Sequence, residues 1–338
     1  MIQTIKQIEA TCDAGLPFDG DPHEETRAPE LTLERMYYPY GFPLKVITNS
    51  EEVLEIIAGM WGDFEQLTDT EPIISEVHVV EGSSMECPPA PVYRIMLPLM
   101  LGVADADNYS IVDLLRNKAQ MSISRGALQH RLYVGYLLLG MPGCIISTRY
   151  AIGIHAGCVA MDGRGILLCG DSGMGKSTLS YACAKAGWTY VSDDGTYWLS
   201  NRNGRLATGD FHRVRFRPTA GELFPEIRGL DITPRAAGKA SIELRTGPMN
   251  HISCAQTTNV DFMVFLNRKS GESPKLMPYR KDVARQSMRQ MMFGVPEILE
   301  MQYAKVDRFL DEIDVFELHY TDLDWAIDRL EKLVREGQ

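Results

Sequence analysis

Gly170, Asp171, Ser172, Gly173, Met174, Gly175, Lys176 and Ser177 satisfy the spacing G-x-x-x-x-G-K-[ST], and Thr178 follows. In that pattern glycine N–H groups wrap phosphate oxygens, the lysine neutralises them, and the hydroxyl serves a magnesium ion. Ile166 to Cys169 form a short apolar run suited to a buried strand. Ser177 to Ala186 read as a helix that Gly187 would stop. The loop therefore falls where a helix N-terminus points its free N–H groups at an anion.

One helix and one turn further on stand Asp193 and Asp194, at the end of the strand expected over Thr189 to Val191. Phosphoryl transfer needs an anionic magnesium ligand and a carboxylate that orients or deprotonates the attacking hydroxyl, and two adjacent acids can divide those tasks. The apolar run Val260 to Leu266, where a magnesium aspartate would otherwise be sought, ends in Asn267. His155 interrupts the apolar run Ile152 to Met161, and its commoner reading there is a hydrogen-bonded core histidine. Arg213, Arg215 and Arg217 alternate, so a strand places them on one face, and a solvated face is the expectation.

The elements that must position these residues follow from the pattern of apolar positions. Ile152 to Met161 and Ile166 to Cys169 flank Asp162-Gly163-Arg164-Gly165 and predict an antiparallel hairpin. Arg213 to Phe216, Phe262 to Leu266 and Val315 to Leu318 are further strands. Leu323, Ala326, Ile327, Leu330, Leu333 and Val334 predict a last helix, capped by Thr321 and Asp324. Upstream, Ser50 caps a helix carrying Val53, Leu54, Ile57, Met60, Trp61 and Phe64, and Val77 to Val80 is a strand. Ile111 to Gly140 reads as mostly helical, while Leu16 to Glu30 and Cys87 to Pro91 read as loops.

A chain of 338 residues with 45% hydrophobic content can build sizeable cores. Its 45 acidic and 34 basic residues give a net charge of −11, which argues against a nucleic-acid partner. Seven cysteines, at 12, 87, 144, 158, 169, 183 and 254, show no C-x-x-C pair and read as reduced thiols; Cys158, Cys169 and Cys183 are expected in cores. The charged residues within 1–10 leave no apolar segment of a signal peptide, and Leu132 to Thr148 is broken by Gly140, Pro142 and Gly143. A cytoplasmic protein with no membrane partner is expected. Met288, Met291, Met292 and Met301 read as helix core or an adaptable surface, and Arg235 and Lys239 as loop cations that could stabilise a transferring group.

Four separated pieces, in this order, resemble the HPr kinase/phosphorylase family: His155-Ala156-Gly157, the GDSGMGKST loop, Ser192-Asp193-Asp194, and Glu226-Ile227-Arg228-Gly229-Leu230. The likeness spans about 150–270. Thr178 stands where those enzymes usually carry Glu, and one extra residue separates His155 from its glycine. The resemblance implies an α/β fold like that of phosphoenolpyruvate carboxykinase, with residues 146–338 as a P-loop kinase domain and 1–145 as an α+β accessory domain. It also implies that Asp193 is the base, that Ser177 and Asp194 hold Mg2+ with help from Glu226, and that His155 lies beside the phosphoryl group. Lys176 would clamp the β and γ phosphates of ATP, and Arg228 would brace the Glu226 loop. The reaction expected is transfer from ATP to a serine hydroxyl of a peptide or protein, such as a ribosomally made peptide, by a homo-oligomer. A small-molecule kinase acting on free serine, and a nucleotide-gated binding protein without transfer, stay open.

Overall fold

Strict alternation of buried Ile73, Ser75, Val77 and Val79 with half-buried neighbours makes Ile73–Val80 a strand with one face in a core. It is the third strand in computed structural model coordinates that describe residues 30–337, apart from 83, 202–203, 233–239, 248, 250, 269–272 and 291. Cys12, Arg235, Lys239, Met291 and the loop expected over 16–29 lie outside the described residues. By contacts the chain divides into Met1–Glu30 and Leu31–Gln338. All that follows concerns the second unit, a mixed α/β structure.

Its first sheet comprises β1 (Leu33–Tyr37), β2 (Leu44–Thr48), β3 (Ile73–Val80), β4 (Val92–Met96), β5 (Leu99–Val103), β6 (Tyr109–Asp113) and β7 (Lys118–Ser124), in the order β1-β2-β3-β7-β6-β5-β4. Helix α1 (Glu51–Trp61) provides the crossover between the parallel strands β2 and β3, and buries the apolar face expected of it. Ser50 stands at its N-cap, without a side-chain bond to the helix.

The helix expected over Ile111 to Gly140 is corrected. Ala119, Met121 and Ile123 lie two apart and are all buried, whereas Lys118 and Gln120 are exposed, so β7 follows a period of two. The Asp113 carboxylate accepts the N–H groups of Leu115 and Arg116 and turns the chain between β6 and β7. Helical structure begins only at Ala127 and continues as short segments, two of them π-helical (Gly135–Leu139 and Ile146–Tyr150). This connector, residues 127–150, leads to the second sheet.

The second sheet is built on β17 (Thr257–Asn267) and has two arms. One arm joins β8 (Ile152–Ile154), β12 (Thr196–Trp198) and β13 (Leu206–Gly209) to the start of β17. The other runs through β10 (Arg164–Cys169), β9 (Ala156–Met161), β11 (Thr189–Ser192) and β16 (Ser253–Cys254). β10 lies parallel to β17 from Val260 onward, and β19 (Asp314–His319) lies parallel on its other side, with β18 (Lys275–Pro278) beyond. The strand run expected over Ile152 to Met161 is split at His155, where the chain passes from one arm to the other. β14 (Arg213–Phe216) and β15 (Ile242–Arg245) form a separate two-stranded sheet.

The β9–β10 hairpin turns at Asp162 and Gly163, with φ of 52° and 78°, the left-handed pair that a two-residue hairpin requires. Helix α2 (Lys176–Lys185) follows β10, and α3 (Lys281–Gln290) and α4 (Pro296–Glu312) precede β19. α5 (Leu323–Glu336) buries Ala326, Ile327, Leu330, Leu333 and Val334 in the core that also holds Leu179 and Tyr181 of α2. Met288 of α3 is buried, Met292 half-buried, and Met301 of α4 exposed, so the methionines are not one surface. Among the described residues no helix is long and apolar enough to cross a membrane.

The cap of α5 differs from the expected Thr321 and Asp324. Asp322 is the N-cap, and its carboxylate accepts the Trp325 N–H at 2.7 Å. Asp322→Ala should cost about 1 kcal/mol of stability, read as a lower urea midpoint with an unchanged slope. Thr321→Ala should leave the midpoint where it is.

Candidate active site

The strand β10 delivers the chain to Gly170 at its C-terminal end, and α2 starts at Lys176 with Gly175 as its N-cap. Gly175 has φ of +96°, and a Cβ there would come within 2.8 Å of the Tyr320 hydroxyl and 3.2 Å of Arg268 Cδ. Backbone and space both demand glycine at this position. No side chain caps the first turn of α2, so its N–H groups remain available at the loop. Lys176 is only 5% exposed, and its Nζ donates to the Gly170 carbonyl at 2.8 Å. The lysine thus spans the loop from inside.

Asp193 and Asp194 follow β11 and return to this loop. Gly157 of β9 permits the approach: a Cβ there would meet Ser180 Oγ of α2 at 2.3 Å and the Asp193 carbonyl at 3.0 Å. Beside it, Ser192 and Thr196 share a hydrogen bond of 2.7 Å, and Thr196 donates to the Ala156 carbonyl. The two acids then part company. Asp193 is 6% exposed; its Oδ2 accepts the Arg215 N–H at 2.9 Å, and the nearby Ser177 hydroxyl favours the charged form of the same carboxyl. Burial pushes its pKa up to about 6, against the lowering effect of the Arg215 N–H and guanidinium.

The Asp194 side chain is 61% exposed and lies 2.7 Å from His155 Nε2 and 3.4 Å from Lys176 Nζ. Its partial burial acts upward, but His155 and Lys176 together hold the carboxyl below its usual range. His155 is therefore partnered as expected, although it is not a core histidine: it stands exposed at the junction of the two sheet arms.

A cavity of about 400 Å3 joins these groups, lined by Ser172, Gly173, Gly175, Lys176, Ser177, Thr178, Asp193, Asp194, Arg215, Arg217 and Arg268. Asp171 and Met174, with Gly170, face a second cavity of about 470 Å3 on the other side of the loop. His155 and Glu317 line that one as well. All the loop positions read from the sequence thus border one cavity or the other.

Two residues escaped the sequence reading. Arg268 directly follows Asn267 at the end of β17, beside the loop, and its guanidinium lies 5.8 Å from the centre of the Tyr320 ring. Among the described residues no carboxylate pairs with it. Glu317, on the next parallel strand, accepts a hydrogen bond from Asn267 at 3.0 Å and brings an acid to the strand end where the sequence shows only an amide. The signal available for both was their position at the C-terminal ends of parallel strands, where ligands gather in open α/β sheets.

The arginine row is corrected from a solvated face to a buried one. Arg213 is buried and pairs with Asp210 at 2.9 Å, while Arg215 donates to Glu243 at 3.2 Å. Arg217 alone is exposed, at the cavity rim. Arg228 donates to the carbonyls of Gly221 and Glu222 and braces the turn Pro218–Glu222.

Glu226 lies apart from Ser177 and Asp194. Its carboxylate pairs with Lys185 Nζ at 2.6 Å and accepts from the Tyr181 hydroxyl at 3.0 Å. Lys185 is the last residue of α2, about 12 Å along the helix from Ser177 at 1.5 Å per residue. Burial acts upward on Glu226, but Lys185 and Tyr181 together hold its pKa low. Among the described residues no three His, Cys, Asp or Glu side chains are grouped to hold a metal ion. Cys158, Cys169 and Cys183 are free and buried, and burial pushes the Cys169 thiol up to about 12.

An acid whose folded pKa of about 6 exceeds its ordinary 3.8 binds protons more tightly in the folded state. Its contribution to stability is fully present below about 4 and is lost as pH rises through about 6. At pH 7 the ionised carboxylate therefore costs on the order of 3 kcal/mol. Asp193→Asn should raise the melting temperature at pH 7, and the gap between variant and wild type should close as pH falls from about 6 to 4.

No family model matches this chain, and no curated protein matches it. Among solved structures it is similar to the HPr(Ser) kinase/phosphatase from Coxiella burnetii, at 14% identity and a TM-score of 0.29. The match covers 55% of this chain and 95% of that one. A likeness of this size does not place the chain in a family.

Proposed function

We propose that this chain is an ATP- and magnesium-dependent kinase that transfers the γ-phosphoryl group to a serine hydroxyl of a peptide or protein. One observation carries the reading: two adjacent carboxyls, one buried on the Arg215 N–H and the other paired with His155 and Lys176, border a cavity with Lys176 and Ser177 at an uncapped helix N-terminus. Two adjacent acids with pKa values pushed apart are what acid–base work at neutral pH needs. The cavity supplies Lys176, Arg215, Arg217 and Arg268, four cations, around that pair.

The donor set fits magnesium. Ser177 and Asp194, which both line the cavity, offer hard oxygen ligands, and magnesium is usually held by one or two carboxylates plus substrate phosphates, with no complete protein cage. When bound there, the ion would neutralise phosphate charge. Glu226, held by Lys185, takes no part in this arrangement.

The chain's own residues then divide the work. Loop and α2 N–H groups hold phosphate oxygens, and Lys176 crosses from the Gly170 carbonyl to the phosphates. Asp193 accepts the hydroxyl proton as the oxygen attacks phosphorus and the bond to the leaving ADP breaks; the proton stays on the carboxyl until solvent removes it. His155 fixes Asp194 from the other side. Arg268, Arg215 and Arg217 offset charge on the transferring group.

Labelled ATP should mark serine-containing peptides in preference to free serine. Label on free serine alone would turn the reading to a small-molecule kinase, and nucleotide binding with no label on any acceptor would favour a gated binding protein. The rate constant should rise with pH through about 6 and level off as Asp193 ionises. Asp193→Asn should remove transfer, and a variant that labels acceptor at full rate would sink the assignment of the base. Arg268→Ala should weaken ATP binding or slow transfer about tenfold or more, in steady-state kinetics on the full chain.

A further inference from the structure

Asp193 is placed by a strand that the main sheet does not hold. Its Oδ2 accepts the N–H of Arg215, and among the described residues the strand carrying Arg215, β14, pairs only with β15. One face of β14, Val214 and Phe216, is buried in the core around α2. The other face carries Arg213 and Arg215, and it meets Tyr136 of the connector that follows the first sheet.

Hydrogen bonds and ring contacts tie Tyr136 to that face and to β15. Its hydroxyl accepts from Arg213 Nη1 at 2.8 Å and donates to Glu243 Oε2 at 3.0 Å. Its ring lies under the Arg215 guanidinium, 4.4 Å from centroid to Cζ. Glu243 is the β15 residue paired with Arg215 in register and accepts from Arg215 Nε at 3.2 Å. Thus Tyr136 touches both strands, at the pair that carries the Asp193 contact.

We infer that Tyr136 is a positioning residue for Asp193: through Arg213 and Arg215 it fixes β14 so that the Arg215 N–H remains on the carboxylate. This rests on the reading of Asp193 as the base. It gives the segment before the phosphate loop a part in the reaction, since Tyr136 stands on the connector from the first sheet. A small displacement of a reacting group can cost about a hundredfold in rate, so a tie of this kind is felt in turnover before it is felt in nucleotide binding.

Two variants of the full chain test it. Tyr136→Leu removes ring and hydroxyl; Tyr136→Phe keeps the ring under Arg215 and loses only the bridge between Arg213 and Glu243. Hydrogen exchange is measured over the peptide spanning 213–216, beside kcat for the labelled acceptor, the dissociation constant for ATP, and the melting temperature. The expected result for Tyr136→Leu is faster exchange at 213–216 and a kcat lower by about tenfold to a hundredfold, with ATP affinity within about twofold. Tyr136→Phe should recover most of the rate. Unchanged exchange at 213–216 in both variants would overturn the inference, and so would faster exchange with an unchanged kcat. If Tyr136→Leu does not fold, Tyr136→Phe is read for the same two changes at smaller size, faster exchange at 213–216 with a modest fall in kcat, and no change in either overturns the inference. A wild-type chain that labels no acceptor would defeat the proposed reaction, and the exchange result would still decide whether Tyr136 holds the strand.

Discussion

A carboxylate kept out of water is the constraint around which the second sheet is arranged. Asp193 is 6% exposed, so its charge is tolerated only because a backbone N–H, the Ser177 hydroxyl and a nearby guanidinium are fixed around it. They come from two elements: β14, through the N–H and the side chain of Arg215, and the start of α2. Gly157 must lack a side chain so that α2 and the Asp193 backbone can meet over β9. The same closeness brings Asp194 within reach of Lys176 and His155. Burial of one acid thus dictates the packing of four elements.

The loop divides two cavities of unlike character. On one side Lys176, Arg215, Arg217 and Arg268 gather around the two acids; on the other, among the described residues, no lysine or arginine lines the wall, which is formed by Phe265, Tyr279, Met263 and Met288 with Glu317 and His155. His155 and Asp194, 2.7 Å apart, sit where the two cavities adjoin. A polyanion would gain from the first side and lose from the second, so charge alone would orient a phosphate chain placed at the loop.

The unit from β9 to β11 was legible in the sequence because its signals are local. Apolar runs, the Asp162-Gly163 turn, the glycine loop and Gly187 each act within a few residues, and the two acids fall where one helix and one strand must return the chain. β6 and β7 were misread because the helical reading of Ile111 to Gly140, which suits the end of that stretch, was carried backward over a segment whose period is two. Arg213 and Arg215 were correctly placed on one face, but nothing in the sequence said that Tyr136 and Glu243 would cover it. Arg268, Glu317 and the diversion of Glu226 to Lys185 depend on pairings between strands and helices far apart in the chain, which periodicity does not encode.

The eleven-residue strand β17 belongs to both arms of the second sheet: its first residues pair with β13, and its later ones lie between β10 and β19. No seam exists there along which the fold could be divided. Two gene fragments split within 257–267 would each lack the strand that closes their own half of the ladder, so recombination that shuffles halves of this protein must break elsewhere, in turns such as Asp162-Gly163 where only two residues bridge adjacent strands.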